Sequence, residues 1–143
     1  MWVKKKILKI KSVQSKISVV EKLIFVAEIG KKLSDFLNLG NGIKIYRSKG
    51  LMAHLLKRNH FVAAKYIDFI PEIIEKPDFA GGNSEKIELV KCFKDSIFLS
   101  VKLDVAKQQF YVSTMFEVKK SKIDSYCASG RLRKLDNQNA SNV

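Results

Sequence analysis

Hydrophobic positions change rhythm along the chain. Leu23 to Ala27 is a short run, Leu-Ile-Phe-Val-Ala, at which periodicity cannot separate a strand from a buried helical turn. Ile29, Leu33, Phe36 and Leu37 then recur at helical spacing, and Asn38-Leu39-Gly40-Asn41-Gly42 is a strong stop signal. Ile43 and Ile45 alternate with Lys44 and Tyr46 as in a short strand. Ser48 reads as the N-cap of a helix whose buried stripe is Leu51, Leu55 and Leu56. Tyr66, Ile67, Ile70, Ile73 and Ile74 repeat the helical period, with Pro71 as a kink or a new start. Pro77-Asp78 and Gly81-Gly82-Asn83 punctuate the exit.

From there the period falls to two. Ile87 to Phe93 predicts a strand, Lys94-Asp95-Ser96 a turn, and Ile97 to Leu103 a second strand. Ile97, Leu99, Val101 and Leu103 share one side of it, and Phe98, Ser100 and Lys102 the other. After a turn at Asp104 to Gln108, Phe110 to Val118 predicts a third strand. There Phe110, Val112, Thr114, Phe116 and Val118 are expected on one face, and Tyr111, Ser113, Met115 and Glu117 on the other. Helices first and antiparallel strands after predict an α+β fold. No internal repeat is present.

Charge adds the next constraint. The 143 residues, one domain in size, carry a formal charge of +13. Such a field favours polyanions, nucleic acid first and an anionic membrane second. No run approaches the roughly 18 apolar residues of a membrane span. Residues 1–16 form a basic arm with six lysines and no acid, which lacks a signal-peptide core, so a cytoplasmic protein is expected. Residues 137–143 are expected to be a disordered tail. Cys92 and Cys127 stand far apart, with no Cys-x-x-Cys and no Cys/His cluster, so neither zinc nor a disulfide framework is indicated. No cofactor is expected, and chemistry on a phosphodiester would rest on histidine, lysine, arginine and hydroxyls.

Candidate chemistry concentrates between Asp35 and Asp68, where no acid occurs and six cations stand: Lys44, Arg47, Lys49, Lys57, Arg58 and Lys65. The same interval holds both histidines, His54 and His60. Histidine exchanges protons near neutral pH, so two of them beside cations point to acid–base work on an anion. The plainer alternative is a solvated lysine face with surface histidines. Positions six apart lie about 240° round a helix and cannot share a face. Asn59 is placed to end the helix and let His60 turn back, whereas His54 and Arg58, four apart, share a face directly. From Asp68 to Asp95 the balance reverses, with seven acids against four lysines, a block expected to lie away from a polyanion. Lys119 to Lys134 is basic again, and Ser129-Gly130-Arg131 reads as a flexible turn ending in a fork-shaped phosphate binder, with Arg133 beyond it.

The order His54…His60, then Ile70-Pro71-Glu72-Ile73-Ile74-Glu75-x-Pro77-Asp78, resembles one family. Ile87-Glu88-Leu89-Val90-Lys91, Val101-Lys102-Leu103-Asp104, Tyr111-Val112-Ser113-Thr114-Met115-Phe116 and Ser129-Gly130-Arg131-Leu132 agree with it. Together they resemble the phage-associated branch of the barnase–EndoU–colicin–RelE-like nucleases over roughly Lys22 to Lys134. The resemblance implies N-terminal helices packed on one face of a four-stranded antiparallel sheet, within a nuclease-like domain at 17–136. It implies metal-independent RNA cleavage and a site built from His54, Lys102, Thr114 and Arg131. His60, Arg58 and Ser113 would lie near it, with Lys57, Arg47, Ser129 and Arg133 as further substrate contacts. Toxins that cut tRNA are among its relatives, so an acidic antitoxin or immunity partner is expected with RNA. Taken alone, Lys102 is equally an exposed strand lysine, and Thr114 a β-former beside Val112 and Phe116. The competing reading is a non-catalytic RNA- or DNA-binding protein of phage or mobile-element origin that uses the same basic surface. Peripheral membrane binding fits less well, because the arm has little apolar moment.

Overall fold

The computed structural model describes residues 23–136. The arm at 1–16 and the tail at 137–143 lie outside them. In chain order the elements are β1 (Leu23–Glu28), α1 (Lys31–Leu37), β2 (Lys44–Ser48), α2 (Leu51–Lys57), α3 (Phe61–Ala64), a 3₁₀ turn (Ile67–Phe69), α4 (Ile70–Glu75), β3 (Phe79–Gly82), β4 (Lys86–Cys92), β5 (Ser96–Asp104), β6 (Gln109–Glu117), α5 (Lys120–Ala128) and β7 (Arg133–Lys134). The strands form one sheet in the order β1-β2-β6-β5-β4-β3-β7. The α+β class stands, but the four-stranded antiparallel sheet does not: the described residues form a seven-stranded sheet, and β2 runs parallel to β6. Sequence pattern missed this because α2 to β5 lie between the two partners, and alternation carries no record of a strand's neighbour.

Two cores occupy the two faces. The larger gathers Leu33 and Leu37 of α1, Leu51 and Leu55 of α2, Ala63 and Ala64 of α3, and Ile70, Ile73 and Ile74 of α4 against Ile45, Ile87, Leu89, Ile97, Leu99, Val101, Val112 and Met115 of the sheet. The smaller joins Val90, Phe98 and Val118 to Ile123 of α5 and to Leu132. Strand β5 shows the pleat directly, with Ile97, Leu99 and Val101 in one core and Phe98 in the other. Each fully buried aliphatic side chain contributes about 1.5–3 kcal/mol.

Strand β6 departs from simple alternation. Ser100 pairs with Thr114 but Val101 pairs with Val112, so Ser113 is an unopposed bulge residue. The extra residue reverses the parity. Val112 shares the larger core with Met115, with Phe110 packed against it, whereas Phe116 and Val118 join Phe98 on the other face. The face expected to unite Phe110 through Val118 is therefore split at Ser113.

Three helices end on the same device. Asn38, Asn59 and Gly130 all have positive φ, 60°, 64° and 84°. In each case the next residue's N–H reaches five residues back: Leu39 to Ser34, His60 to Leu55, and Arg131 to Tyr126. These are Schellman ends, closed by a left-handed residue that Gly or Asn adopts most readily. Ser129-Gly130-Arg131 is accordingly a hydrogen-bonded helix end, where a flexible turn was expected. Ser48 is the last residue of β2, and Gly50 holds the N-cap position of α2. The Ser48 hydroxyl accepts the Gly50 N–H at 2.9 Å and so shapes the turn into α2.

Gly81 and Gly82, expected to end a helix, lie in β3. A Cβ on Gly81 would stand 1.9 Å from the Arg131 carbonyl oxygen. The glycine is there so that the C-terminal segment can pass close to the strand. That segment, read from its charge as a basic tail, forms α5 and then β7, which pairs with β3.

Candidate active site

Among the described residues the pairing of β6 on its β2 side stops at Tyr111, and β2 itself ends two residues past Tyr46, at Ser48, and turns into α2. The α2–α3 corner fills that side. The Schellman end at Asn59 reverses the chain within two residues and brings His60 back beside the strand. His54, Arg58, His60, Ser113, Thr114 and Phe116 line one concavity of about 490 Å³. The His60 ring lies 5.9 Å from that of Phe116, which stacks on Phe98 at 4.8 Å with 10° between planes. The imidazole thus leans on a rigid aromatic wall. A second concavity of about 370 Å³ shares His54 and Ser113 and extends to Ser48, Asp104, Lys107, Gln109 and Tyr111. The bulge at Ser113 places that residue where the two concavities meet.

Across the sheet the pairing register sets two polar rows on the face opposite the larger core. One runs Glu88–Ser100–Thr114 over β4, β5 and β6, and the next runs Lys86–Lys102–Tyr111. With strands about 4.8 Å apart, Glu88 and Thr114 are roughly 10 Å from one another. Glu88 is buried at 4% exposure and accepts from Arg131 Nε and Nη2, both at 2.8 Å. Lys86 Nζ lies 3.3 Å from the same carboxylate. The Arg131 hydrogen bonds hold the Glu88 carboxyl below the ordinary carboxylate range against the opposing effect of burial. Arg131 in turn is held above its ordinary value, chiefly by Glu88. Its guanidinium stacks 4.3 Å from the Tyr126 ring. This is a fixed ion pair, with both partners oriented and charged.

The residues proposed from sequence therefore divide. The fold brings His54, Arg58, His60, Ser113 and Thr114 together. Lys102 is exposed on the adjoining row of β5, opposite Tyr111. Arg131 stands at the far end of the Thr114 row and spends its fork on Glu88. Lys57 is exposed near the end of α2, and Arg47, on β2, donates to the Ser48 carbonyl. The Ser129 hydroxyl donates to the Tyr126 carbonyl at the end of α5. Arg133 is turned to α1, where it donates to the Phe36 carbonyl at 2.8 Å and covers the Phe36 ring at 4.2 Å.

Glu88 was missed because it was counted within the acidic block expected to lie away from the site. Its signal is a lone carboxylate inside the apolar run Ile87-Glu88-Leu89-Val90, which a buried strand tolerates only with a cation against it. Tyr111 stands within a segment that carries the family resemblance but was given no site role, and Gln109 carried no signal. Among the described residues no three His, Cys, Asp or Glu side chains converge as a metal cage would. None of their helices is long and apolar enough to cross a membrane.

No curated protein and no solved structure matches the chain. A family model does: residues 24–125, from the start of β1 into α5 and including the His54 concavity, match the one described as phage-Barnase-EndoU-ColicinE5/D-RelE like nuclease3. A match over most of the chain, together with an α+β fold that sets two histidines beside a strand edge, places this protein in that nuclease family.

Proposed function

We propose that the chain is a metal-independent endoribonuclease that cuts RNA, tRNA included, through the 2′-hydroxyl of the substrate. The reaction needs a base for the 2′-hydroxyl proton and an acid for the departing 5′-oxygen. The 2′-oxygen bonds to phosphorus, the bond from phosphorus to the 5′-oxygen breaks, and a 2′,3′-cyclic phosphate and a 5′-hydroxyl result. His54 serves as base or acid, and His60 on the same concavity is available for the other proton. The guanidinium of Arg58 and the Thr114 and Ser113 hydroxyls meet the phosphate. Lys102, on the adjoining row, adds positive charge where the phosphorane gains negative charge, while Arg131, paired to Glu88, acts from farther along the row by holding its end in place. The observation that carries this is the meeting of both histidines with Arg58, Ser113 and Thr114.

The test is an RNA oligonucleotide incubated with the pure protein and EDTA, with product ends read by mass spectrometry. Cyclic phosphate and 5′-hydroxyl ends are expected, and a single 2′-deoxy substitution at the cut site should abolish cutting while binding persists. A 5′-phosphate end, or cutting of all-deoxy DNA, would overturn the mechanism. An unrestrained cytoplasmic ribonuclease would harm its cell, so a toxin role follows, with an acidic antitoxin over the basic surface. Expression alone should then stop growth, and His54→Ala should relieve the arrest. One observation favours a non-catalytic RNA- or DNA-binding protein instead: Arg131 is already neutralised by Glu88. Tight binding without any cutting is the result that would decide for it.

A further inference from the structure

The pairing register lines up five residues across five strands. Phe25 pairs with Tyr46, Tyr46 with Tyr111, Tyr111 with Lys102, and Lys102 with Lys86. Directly paired residues point to the same side of a sheet. Their neighbours fix which side: Ile45 lies in the larger core and Phe110 packs against it, so Tyr46 and Tyr111 face away from it. Neither core includes Phe25, Tyr46 or Tyr111. Phe25 is 52% exposed, and both tyrosines are partly open. The Phe25 and Tyr46 rings meet edge to face at 5.7 Å. Tyr111 also lines the concavity that contains His54.

We propose that Phe25, Tyr46 and Tyr111 form a stacking platform for the bases of single-stranded RNA leading to or from the cut phosphate, with Lys102 and Lys86 along its backbone. The choice of RNA as occupant rests on the nuclease function proposed above. Three rings on adjacent strands span about 10 Å, room for two or three bases. Base–aromatic stacking is indifferent to base identity and strong enough to hold a flexible strand. An open sheet that carries aromatics is one way proteins grip unpaired RNA, because a duplex keeps its base faces stacked inside. Charge favours the same occupant. Lys86 already faces the Glu88 carboxylate at 3.3 Å, whereas Lys102, opposite Lys86, has no carboxylate partner among the described residues. Among the described residues Asp104 is the one carboxylate lining the adjoining concavity, and one of its oxygens accepts the Lys107 N–H at 3.3 Å.

The test uses a fluorescent 2′-O-methyl RNA eight-mer, which cannot be cut, so binding is read whether or not the chain is a nuclease. Phe25→Leu and Tyr46→Leu should each weaken binding about tenfold. Phe25→Tyr and Tyr46→Phe, which keep the ring, should bind like wild type, and thermal melts of all four variants verify folding. A blunt duplex of the same sequence should bind more weakly and not respond to the substitutions. The platform is refuted if the folded leucine variants hold the single strand as tightly as wild type, or if the duplex is preferred. If natural RNA is cut normally while that happens, the nuclease function stands and the platform alone falls. If the leucine variants lose the single strand but natural RNA is never cut, the platform stands and the nuclease function falls.

Discussion

The His54 corner and the Glu88–Arg131 clamp lie at opposite ends of one row of side chains, and they differ in almost every physical respect. The corner is rich in cations, holds no acid from Phe36 to Ile67, and leaves its imidazoles partly open to solvent. The clamp buries its carboxylate, and every strong contact of the guanidinium fork is internal. A group that must gain and lose a proton in each turnover needs the first environment. A group that must hold fixed charge and fixed orientation is served by the second. Arginine, lysine and histidine tend to be grouped as phosphate-site residues, yet these surroundings suit them to different work.

The sharpest way to break this contrast is at the corner. His54→Ala should slow single-turnover RNA cutting by the order of 10²–10⁴, with an unchanged melting temperature. A melting temperature that falls with the rate would make His54 structural. The clamp should respond the other way round. Glu88→Gln leaves a partly buried guanidinium without its counter-charge and should cost about 2 kcal/mol in urea unfolding, less than for a fully buried pair because the Arg131 side chain is 42% exposed. Acid supplies a second reading of the clamp. Glu88 titrates below its ordinary 4.5 in the folded protein. The stability it supplies is therefore complete above that pH and is lost as pH falls below it. Wild type should lose this component in acid, and Glu88→Gln should not show it. The smallest effect is expected from Arg133→Ala, about 1 kcal/mol of stability from the lost Phe36 contact and no change in cutting. A large fall in cutting would assign Arg133 to the substrate.

Much of this arrangement can be read from sequence where the information is local. The stop at Asn38, the reversal at Asn59 and the alternation in β5 follow from residue type and period, because those properties are fixed within one turn or one pleat. Non-local information was lost. The glycines of β3 look like punctuation until Arg131 is seen against Gly81. Six cations between Lys119 and Lys134 look like a solvated tail, because the pattern is nearly silent about a helix with so few apolar residues. The bulge at Ser113 has no local mark, and it decides which half of β6 faces the concavity. Likewise the join of Thr114 to His54 depends on where β2 stops, a tertiary fact.

The clamp also sets an order in time. Glu88 and Arg131 are 43 residues apart, so a ribosome adding about 5–20 residues per second makes the carboxylate roughly 2–9 s before its partner. Through that interval Glu88 has Lys86 beside it but lacks the Arg131 fork, so burying its carboxylate is only partly compensated. The α5 helix and the strand after it bring both the cation and the cover in one step. The histidine corner is synthesised well before that step, while the far end of its row is still open.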